Sequence, residues 1–437
     1  MGIPLVSVAK IELTAICNYQ CTYCYNDVRP SVKGPLVKQQ KSSDSKKKKL
    51  ASIIEECLQN NIQDISFTGG EPLTTKDLLF FGIEKATELD IFTSLNTNLS
   101  LLTAKDIEMM AESGLKSLLV SCPSYDEETF TKITRNKIGY NRFLENLGLV
   151  RDADMNCTVN MVVTQANKHQ VYETGKLLHE SYGVANFGAT PISPSTPQHI
   201  DKVLTREESI KVFDDLKQLH HDYGLQVTTL RPIPLCLFPD SKDYSEFMRC
   251  CSLMKNEIYI TIEGDVSGCG SVPLVYGNLF DEGLRTCIEK GAEQHSSEKI
   301  IPSECTPCAE ANICRGGCRA EAMTTFGEIS SVNPYFVEIL NEKKLPDIQP
   351  SINMYEATII IDPEANLRQG DTKDVFVYSA FGNEVALNKY ESNLMALFEK
   401  EGLSLSDLTQ RHTLNSRAVN QFFNNMANKG GISLGGN

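Results

Sequence analysis

The chain has 437 residues, 41% of them hydrophobic, and its formal net charge is −14. This length predicts two to three domains of about 150 residues each, and the acidic balance excludes broad nucleic-acid binding, which needs a basic face. No apolar run approaches the roughly 20 residues of a membrane-spanning helix. The first residues, MGIPLVSVAK, lack the regions of a signal peptide. We therefore expect a soluble, cytoplasmic protein with no DNA and no membrane partner.

The first half of the chain alternates between predicted strands and helices. Strands are predicted over residues 6–13, 63–67, 90–95, 116–122, 155–163 and 185–191. Helices are predicted between and after them, over residues 46–59, 75–89, 102–113, 126–134, 139–153 and 167–183. This alternation indicates βαβ units and a parallel sheet. Six such repeats predict an α/β fold, a partial (β/α)6 barrel.

The rest of the chain changes character twice. Residues 235–335 are poor in predicted helix and rich in Cys, Gly and Pro, so metal sites are expected to supply folding energy. The last part is predicted to form two strands, over 354–363 and 374–380, and three helices starting at Ala386. This pattern predicts a winged-helix-like α+β module, and its closing GGISLGGN is predicted to fray. We place the domains at 1–230, 231–345 and 346–437.

The chain has 15 cysteines, and most of them cluster. One group directly follows the first strand as C-x3-C-x2-C: Cys17, Cys21 and Cys24. A second group lies in the Cys-rich segment: Cys236, Cys250, Cys251, Cys269, Cys305, Cys308, Cys314 and Cys318. Clustered cysteines in a cytosolic chain indicate metal ligands. The scattered thiols are expected to be buried as small apolar groups: Cys57, Cys122, Cys157 and Cys287.

The number of thiols in the first group is informative. A [4Fe–4S] cluster that serves electron transfer takes four cysteine ligands, so three ligands leave one iron open to a substrate or cofactor. A zinc site is the alternative. Structural zinc sites favour paired C-x2-C motifs with four ligands, and no partner pair lies near this loop.

The stretch CNYQCTYCY resembles the cluster-binding loop of radical S-adenosylmethionine (SAM) enzymes, with Tyr23 at its aromatic position. ISFTGGEPL, which ends the second strand, resembles the GGE motif that contacts the methionyl ammonium of SAM in that family. The resemblance spans about residues 6–190 and implies SAM-site roles for Gly69, Gly70 and Glu71. It also implies that SAM is cleaved reductively to a 5′-deoxyadenosyl radical, which abstracts hydrogen from an unactivated C–H bond.

Two further segments are similar to SAM-site segments of the family. SLNTNL resembles the segment near the SAM ribose, which implies these polar candidates: Ser94, Thr97 and Asn98. In LLVSCPSYDEETFTKITR, Ser121 matches the family pattern and Arg135 is a candidate match, with ordinary surface as its alternative. Cys122 and Pro123 depart from the pattern, so the catalytic acid and base stay unassigned.

The second cysteine group resembles the SPASM extension of radical SAM peptide maturases, which holds two auxiliary [4Fe–4S] clusters. Its spacings are C-x12-G-x4-C from Cys251 and C-x2-C-x5-C-x3-C from Cys305. A zinc ribbon in the latter run is the alternative. The resemblance assigns three thiols to the first auxiliary cluster: Cys251, Cys269 and Cys318. Cys236 is the candidate for its upstream ligand, and Cys250 is the alternative.

The second auxiliary cluster would be held by Cys305, Cys308 and Cys314, but this chain departs from the family after them. The usual seventh cysteine is missing, and Phe336 stands where SSVNPYFVE aligns with it. Either Cys250 or Cys287 substitutes, or one iron is open, or the cluster is absent. We favour a retained cluster with a substitute ligand or an open site, and thus expect one or two auxiliary clusters.

Residues 375–432 resemble the PqqD-like fold, in which a leader peptide adds as a strand to an exposed sheet edge. A DNA-binding winged helix and a purely structural cap are the alternatives. Residues 351–437 carry seven basic and ten acidic residues, a net charge of −3, whereas a DNA-binding module should be basic.

These resemblances imply a radical SAM/SPASM maturase that acts on a ribosomally made precursor peptide with a leader. A flavodoxin or ferredoxin would supply its electrons. The product could be a thioether, a C–C or C–O crosslink, or an oxidised side chain. The alternatives are a formylglycine-type sulfatase maturase, a tetrapyrrole-oxidising radical SAM enzyme, and a non-enzymatic iron–sulfur carrier or redox sensor.

Overall fold

The computed structural model describes residues 6–28, 42–194, 197–238 and, with short gaps, 244–335. Beyond these it describes only short stretches: 359–360, 366–369, 375–380, 383–388, Met395 and 433–434. The chain divides into two compact units. One comprises residues 1–323 and 329–345, and the other comprises residues 324–328 and 346–437.

The first unit is built on a ten-stranded sheet. Its first seven strands run parallel in chain order: β1 Val8–Thr14, β2 Asp64–Gly69, β3 Phe92–Thr97, β4 Ser117–Ser121, β5 Cys157–Val163, β6 Asn186–Pro191 and β7 Gln226–Thr228. The accompanying helices are α1 Asp44–Gln59, α2 Lys76–Glu88, α3 Ala104–Ser113, α4 Glu127–Thr134, α5 Gly139–Asp152, α6 Val171–Tyr182 and α7 Arg206–Tyr223. The six predicted strands and six predicted helices are therefore confirmed, and α7 with β7 adds a further repeat.

The two faces of the parallel sheet differ in polarity. On one face, Ile11, Phe67 and Leu95 are fully buried, and Phe67 and Leu50 of α1 both lie against Gly82 of α2. On the other face, Glu12 and Thr68 stand side by side in the register between β1 and β2. Because the helices cover the apolar face, the polar face lines the interior of the curved sheet.

The Cys-rich segment continues this sheet. Its strand β8, Glu257–Thr261, pairs parallel with β1, and β9, Asp265–Ser267, and β10, Val275–Asn278, follow antiparallel. Its helices are α8 Leu279–Glu282, α9 Leu284–Gln294, α10 Ser297–Ile300, α11 Ala311–Cys314 and α12 Arg319–Phe326. Ile258 and Ile260 are fully buried in the same core as the barrel strands. The prediction that this segment is poor in helix is therefore wrong, since the described residues form these five short helices and share the core of the barrel strands.

The second unit contains a three-stranded antiparallel sheet, in the order β12 Asn366–Gln369, β13 Val375–Ala380 and β14 Asn383–Asn388. Strand β11, Ile359–Ile360, pairs with β15, Ser433–Leu434. The tail was expected to fray, yet Ser433–Leu434 forms a strand. The predicted first helix is also wrong at its start, since Ala386–Asn388 belongs to β14. The predicted helices over 403–412 and 415–431 lie outside the described residues.

No helix among the described residues has the length and hydropathy that a membrane crossing requires.

Candidate active site

The loop with the first three thiols leaves the end of β1. The thiol of Cys17 is buried, while Cys21 and Cys24 are partly exposed. Within the loop, the backbone N–H of Tyr19 donates to Cys17 Sγ at 3.4 Å. Burial, and then the charges of Cys21 and Cys24, raise the pKa of Tyr23 well above its usual value, so the aromatic position of the motif lies among the loop thiols.

The end of α4 supports this loop from one side. The N–H groups of Gln20 and Thr22 donate to the last carbonyls of the helix, Thr134 O at 3.0 Å and Ile133 O at 2.9 Å. Arg135 ends the helix in the left-handed conformation, with φ of 54°, so the chain turns away and these carbonyls stay available to the loop. The Arg135 side chain is exposed.

The GGE segment supports the loop from a second side. The N–H groups of Gly70 and Glu71 donate to Thr14 O at 2.6 Å and Ile16 O at 2.8 Å. A Cβ on Gly70 would lie 2.2 Å from Ile16 O. Gly69 has φ of +151°, and its Cβ would lie 2.3 Å from Thr14 O. The two glycines are thus required where the backbones of the β1 and β2 loops cross.

The carboxylate of Glu71 is buried and accepts three hydrogen bonds. Oε1 accepts from Leu73 N at 3.1 Å and from Thr97 Oγ1 at 2.8 Å. Oε2 accepts from Asn98 N at 2.7 Å. Burial is the largest influence on this group and raises the pKa of Glu71 to about 7, although the three donors oppose the shift. Glu71 therefore ties the end of β2 to the end of β3.

A closed ring of side-chain hydrogen bonds fixes the same region. Asn18 Nδ2 donates to Ser100 Oγ at 2.7 Å, Ser100 Oγ donates to Asn98 Oδ1 at 2.7 Å, and Asn98 Nδ2 donates to Asn18 Oδ1 at 3.0 Å. All three residues are buried. The ring joins the thiol loop to the segment after β3, so the structure brings the predicted residues Thr97 and Asn98 next to the GGE motif and the thiol loop.

The other two polar candidates lie elsewhere on the sheet. Ser94 is partly exposed in the middle of β3, and Ser121 is exposed at the end of β4. Both stand on the polar face, because Ser94 is in register with Ser66 and Ser121 with Asn160.

The polar face also carries two pairs of interacting side chains that the sequence analysis did not single out. Lys10 Nζ forms an ion pair with Glu257 Oε1 at 2.8 Å, and the hydroxyl of Tyr259 donates to Glu12. These pairs join β1 to β8 on the interior face. The polar residues at alternate positions of VAKIELT were the available signal.

The family model of the radical SAM superfamily matches residues 11–178 of the chain, from β1 into α6. This segment is a radical SAM domain. It contains both the thiol loop and the GGE segment, and the chain that carries it is an enzyme.

Three similar proteins describe the wider likeness. The AdoMet-dependent heme synthase of Methanosarcina barkeri (strain Fusaro / DSM 804) is 23% identical over 351 residues, which cover 75% of this chain and 95% of that protein. The crystal structure of Streptococcus suis SuiB bound to S-adenosylmethionine is 18% identical, with a TM-score of 0.57 over 76% of each chain. Native anSMEcpe with bound AdoMet and Cp18Cys peptide is 17% identical, with a TM-score of 0.60 over 77% of this chain and 96% of that one. The structural likeness shows a shared fold.

Outside the radical SAM domain, the Cys-rich segment gathers its thiols in two groups. The first set comprises Cys251, Cys269 and Cys318: Cys269 packs with Cys318 in a small apolar cluster, and a Cβ on Gly268, next to Cys269, would lie 2.5 Å from Leu253. The second set comprises Cys305, Cys308 and Cys314: Cys308 N donates to Cys305 O at 2.9 Å, and Ala311 N, at the start of the helix that ends at Cys314, donates to Cys308 O at 3.1 Å.

Cys236 lies with this second set, since Leu235 N donates to Cys314 Sγ at 3.4 Å. The expectation that Cys236 joins the first set is therefore not supported by its position. Cys250 adjoins the first set in sequence, and its sulfur accepts from Lys255 Nζ at 3.7 Å.

The hydrogen bonds of the thiols distinguish candidate cluster ligands from buried cysteines that pack as apolar side chains. One sulfur in each group accepts a backbone N–H: Cys17 from Tyr19, Cys269 from Ser271 at 3.5 Å, and Cys314 from Leu235. Such N–H···S bonds suit thiolate ligands of iron–sulfur clusters. By contrast, Cys122 donates its S–H to Ser124 O, and Cys287 donates to Glu282. Cys57, Cys122 and Cys287 are buried as predicted, and Cys157 is partly exposed.

A buried cation also fits an anionic group in the first set. Arg315 is 1% exposed and donates through Nη1 to Cys251 O at 2.6 Å and Leu253 O at 3.0 Å. Its Nε and Nη2 find no hydrogen-bond partner among the described residues. A buried positive charge needs compensation, and a thiolate-ligated cluster would supply it. Within the described residues, no three His, Cys, Asp or Glu side chains converge on a position for a single metal ion.

The segment aligned with the missing seventh cysteine contributes a buried side chain to a hydrogen-bonded pair. Asn333 is buried and donates to Glu321 Oε2 at 2.8 Å. The same carboxylate oxygen lies 3.1 Å from Arg231 Nη2. Phe336 itself lies outside the described residues.

Proposed function

We propose that this radical SAM enzyme is a SPASM-type peptide maturase that modifies a ribosomally made precursor peptide. The observation that carries the proposal is the sheet of the second unit. Among the described residues, β12 and β14 each pair on one side only, with β13 between them. An edge of this kind accepts an extended peptide as an additional strand, which is how a PqqD-like module would hold a leader.

The radical SAM domain offers a fitting set of cofactor ligands. Cys17, Cys21 and Cys24 would hold a [4Fe–4S] cluster with one open iron, and the segment around Glu71 would hold SAM. When bound, these cofactors supply a one-electron reductive cleavage that generates a hydrogen-abstracting carbon radical. A flavodoxin or ferredoxin would be the external reductant, in the cytoplasm.

The chain's own residues position the reactants. The Glu71 carboxylate, held by three donors, presents negative charge to the ammonium of SAM while it fixes Thr97 and Asn98. The interior pairs Lys10–Glu257 and Glu12–Tyr259 would hydrogen-bond the backbone of an extended peptide. Burial of this face beneath the substrate excludes water from the reacting carbon.

The Cys-rich segment would hold auxiliary clusters that accept an electron from the substrate or bind it. Because β8 is hydrogen-bonded to β1, the segment is fixed to the strand that leads into the thiol loop. Two proteins of the same fold support a peptide substrate, since SuiB was crystallised with its precursor peptide SuiA and anSMEcpe with Cp18Cys peptide. The alternative of a formylglycine-type maturase, which oxidises a Cys or Ser of its substrate, needs no recognition module, because a short sequence motif suffices as its substrate.

A second candidate is oxidation of tetrapyrrole side chains. It is favoured by the likeness to the AdoMet-dependent heme synthase, which spans most of both chains. In that case the second unit would be dispensable for substrate binding.

The test is removal of residues 346–437. Fluorescently labelled precursor peptides encoded beside the gene, and a porphyrin with propionate side chains, would each be offered to the full and truncated chains. We expect the full chain to bind a peptide, and the truncated chain to lose that binding at least tenfold while it still cleaves SAM. Porphyrin turnover by both chains, without peptide binding, would overturn the proposal in favour of the tetrapyrrole reaction.

A further inference from the structure

Cys236 occupies a short 3₁₀ turn, Leu235–Leu237, that begins after Pro234. The N–H of Leu235 donates to Cys314 Sγ at 3.4 Å. Pro234 packs on Gly317, where a Cβ would lie 2.7 Å from the proline ring, and Gly317 has φ of +80°. The turn therefore packs against the segment from Cys314 to Gly317, which lies about 80 residues later in the chain.

Cys305 and Cys308 lie near the same pair of glycines. A Cβ on Gly316, next to Gly317, would lie 2.8 Å from the ring of Pro302, and Cys305 N donates to Pro302 O at 2.9 Å. Cys308 and Cys305 are joined by a backbone hydrogen bond of 2.9 Å from Cys308 N to Cys305 O. Four thiols from two distant segments are thus neighbours.

We propose that Cys236 is the fourth ligand of the second auxiliary cluster, together with Cys305, Cys308 and Cys314, in place of the seventh cysteine that this chain lacks. The inference rests on the proposed function, which includes auxiliary clusters. Cys236 would replace the missing cysteine in space but not in sequence position. It precedes the Cys-rich strands, whereas the family's seventh cysteine follows the position of Cys318.

This ligand set makes the second cluster closed. Four thiolates leave no iron free for a substrate, so the cluster serves electron transfer. Cys251, Cys269 and Cys318 are then left as ligands of the first auxiliary cluster, and Cys250 is the remaining thiol next to them in sequence. Any substrate contact by an auxiliary iron belongs to that first set.

The test measures iron, not turnover. In a chain with Cys17, Cys21 and Cys24 replaced by Ala, reconstitution should leave two auxiliary clusters, or about eight irons per chain. Cys236→Ser is introduced into this chain and into a second one that also carries Ala at Cys305, Cys308 and Cys314. Cys157→Ser, on β5, is the matched control for loss of one thiol. Iron and sulfide content, electron paramagnetic resonance of the reduced chain, and circular dichroism are recorded for each.

Cys236→Ser should lower the iron content of the first chain from about eight toward about four, or change the resonance of one cluster if the serine is retained as a ligand. It should change nothing in the second chain, because that cluster is already gone. An equal loss of iron in both chains would assign Cys236 to the first set and overturn the inference. Unchanged iron content and unchanged resonance in both chains would also overturn it. A parent chain that binds no auxiliary iron would instead overturn the auxiliary clusters of the proposed function, and with them this assignment.

Discussion

Replacement of Gly70 by alanine tests whether the GGE segment is built around the thiol loop. The added Cβ would lie 2.2 Å from Ile16 O and 2.5 Å from Ile16 C, about 1 Å short of ordinary van der Waals contact. Both atoms belong to the backbone, so no side-chain rotation relieves the overlap. The loop must move, and the move breaks the bonds from Gly70 N to Thr14 O and from Glu71 N to Ile16 O.

The size of the effect follows from these terms. Two backbone hydrogen bonds contribute about 1 kcal/mol each, and overpacking against a rigid backbone costs about 1–3 kcal/mol. Gly70→Ala should therefore lower the free energy of unfolding of the cluster-free chain by about 4 kcal/mol. It should also lower reconstituted iron by about four per chain, because the displaced residues lead into Cys17.

The measurement is urea unfolding followed by far-ultraviolet circular dichroism, combined with iron analysis. Gly148→Ala is the control, since a Cβ there meets nothing within 4 Å and alanine favours the helix by up to about 1 kcal/mol. A Gly70→Ala chain that is as stable as the wild type and fully loaded with iron would refute the reasoning.

Two further predictions concern buried charges. Because burial raises the pKa of Glu71 to about 7, its carboxylate is lost as the pH falls through 7. The affinity of the reconstituted chain for SAM should therefore weaken about tenfold from pH 8 to pH 6, as measured by calorimetric titration. The same pH dependence of SAM affinity in Glu71→Gln would contradict this prediction. Arg231 and Glu321 are 5% and 0% exposed and lie 3.1 Å apart. Arg231→Leu should lower the free energy of unfolding by about 3–5 kcal/mol, and the double mutant with Glu321→Leu should regain most of this loss. Stability would be measured by urea unfolding, and a double mutant that is less stable than Arg231→Leu would refute the prediction.

Much of the barrel could be predicted from the sequence because strands such as β1 show apolar residues at alternate positions, and helices such as α1 and α3 begin at a side-chain cap, Ser43 and Thr103. The missed repeat shows the limits of this approach. Strand β7, Gln226–Thr228, has only three residues and therefore no period to detect. Helix α7 did carry a signal, a capping box between Thr205 and Glu208.

Other features depend on contacts that no local pattern records. Ala386 and Leu387 favour helix by propensity, yet pairing with β13, where Val377 faces Ala386, places them in a strand. The family resemblance made Cys236 a candidate ligand of the first auxiliary cluster. The structure places it beside Cys314 because a proline turn packs on Gly317. Similarly, the buried guanidinium of Arg315 reaches the Cys251 and Leu253 carbonyls only when the chain is folded around it.

The central claim is that the loop of Cys17, Cys21 and Cys24 supports reductive cleavage of SAM. The chain would be reconstituted anaerobically with iron and sulfide, supplied with SAM and dithionite, and assayed for 5′-deoxyadenosine beside a variant with all three cysteines replaced by Ala. We predict 5′-deoxyadenosine from the wild type alone. No product from a wild-type chain fully loaded with iron would contradict the account.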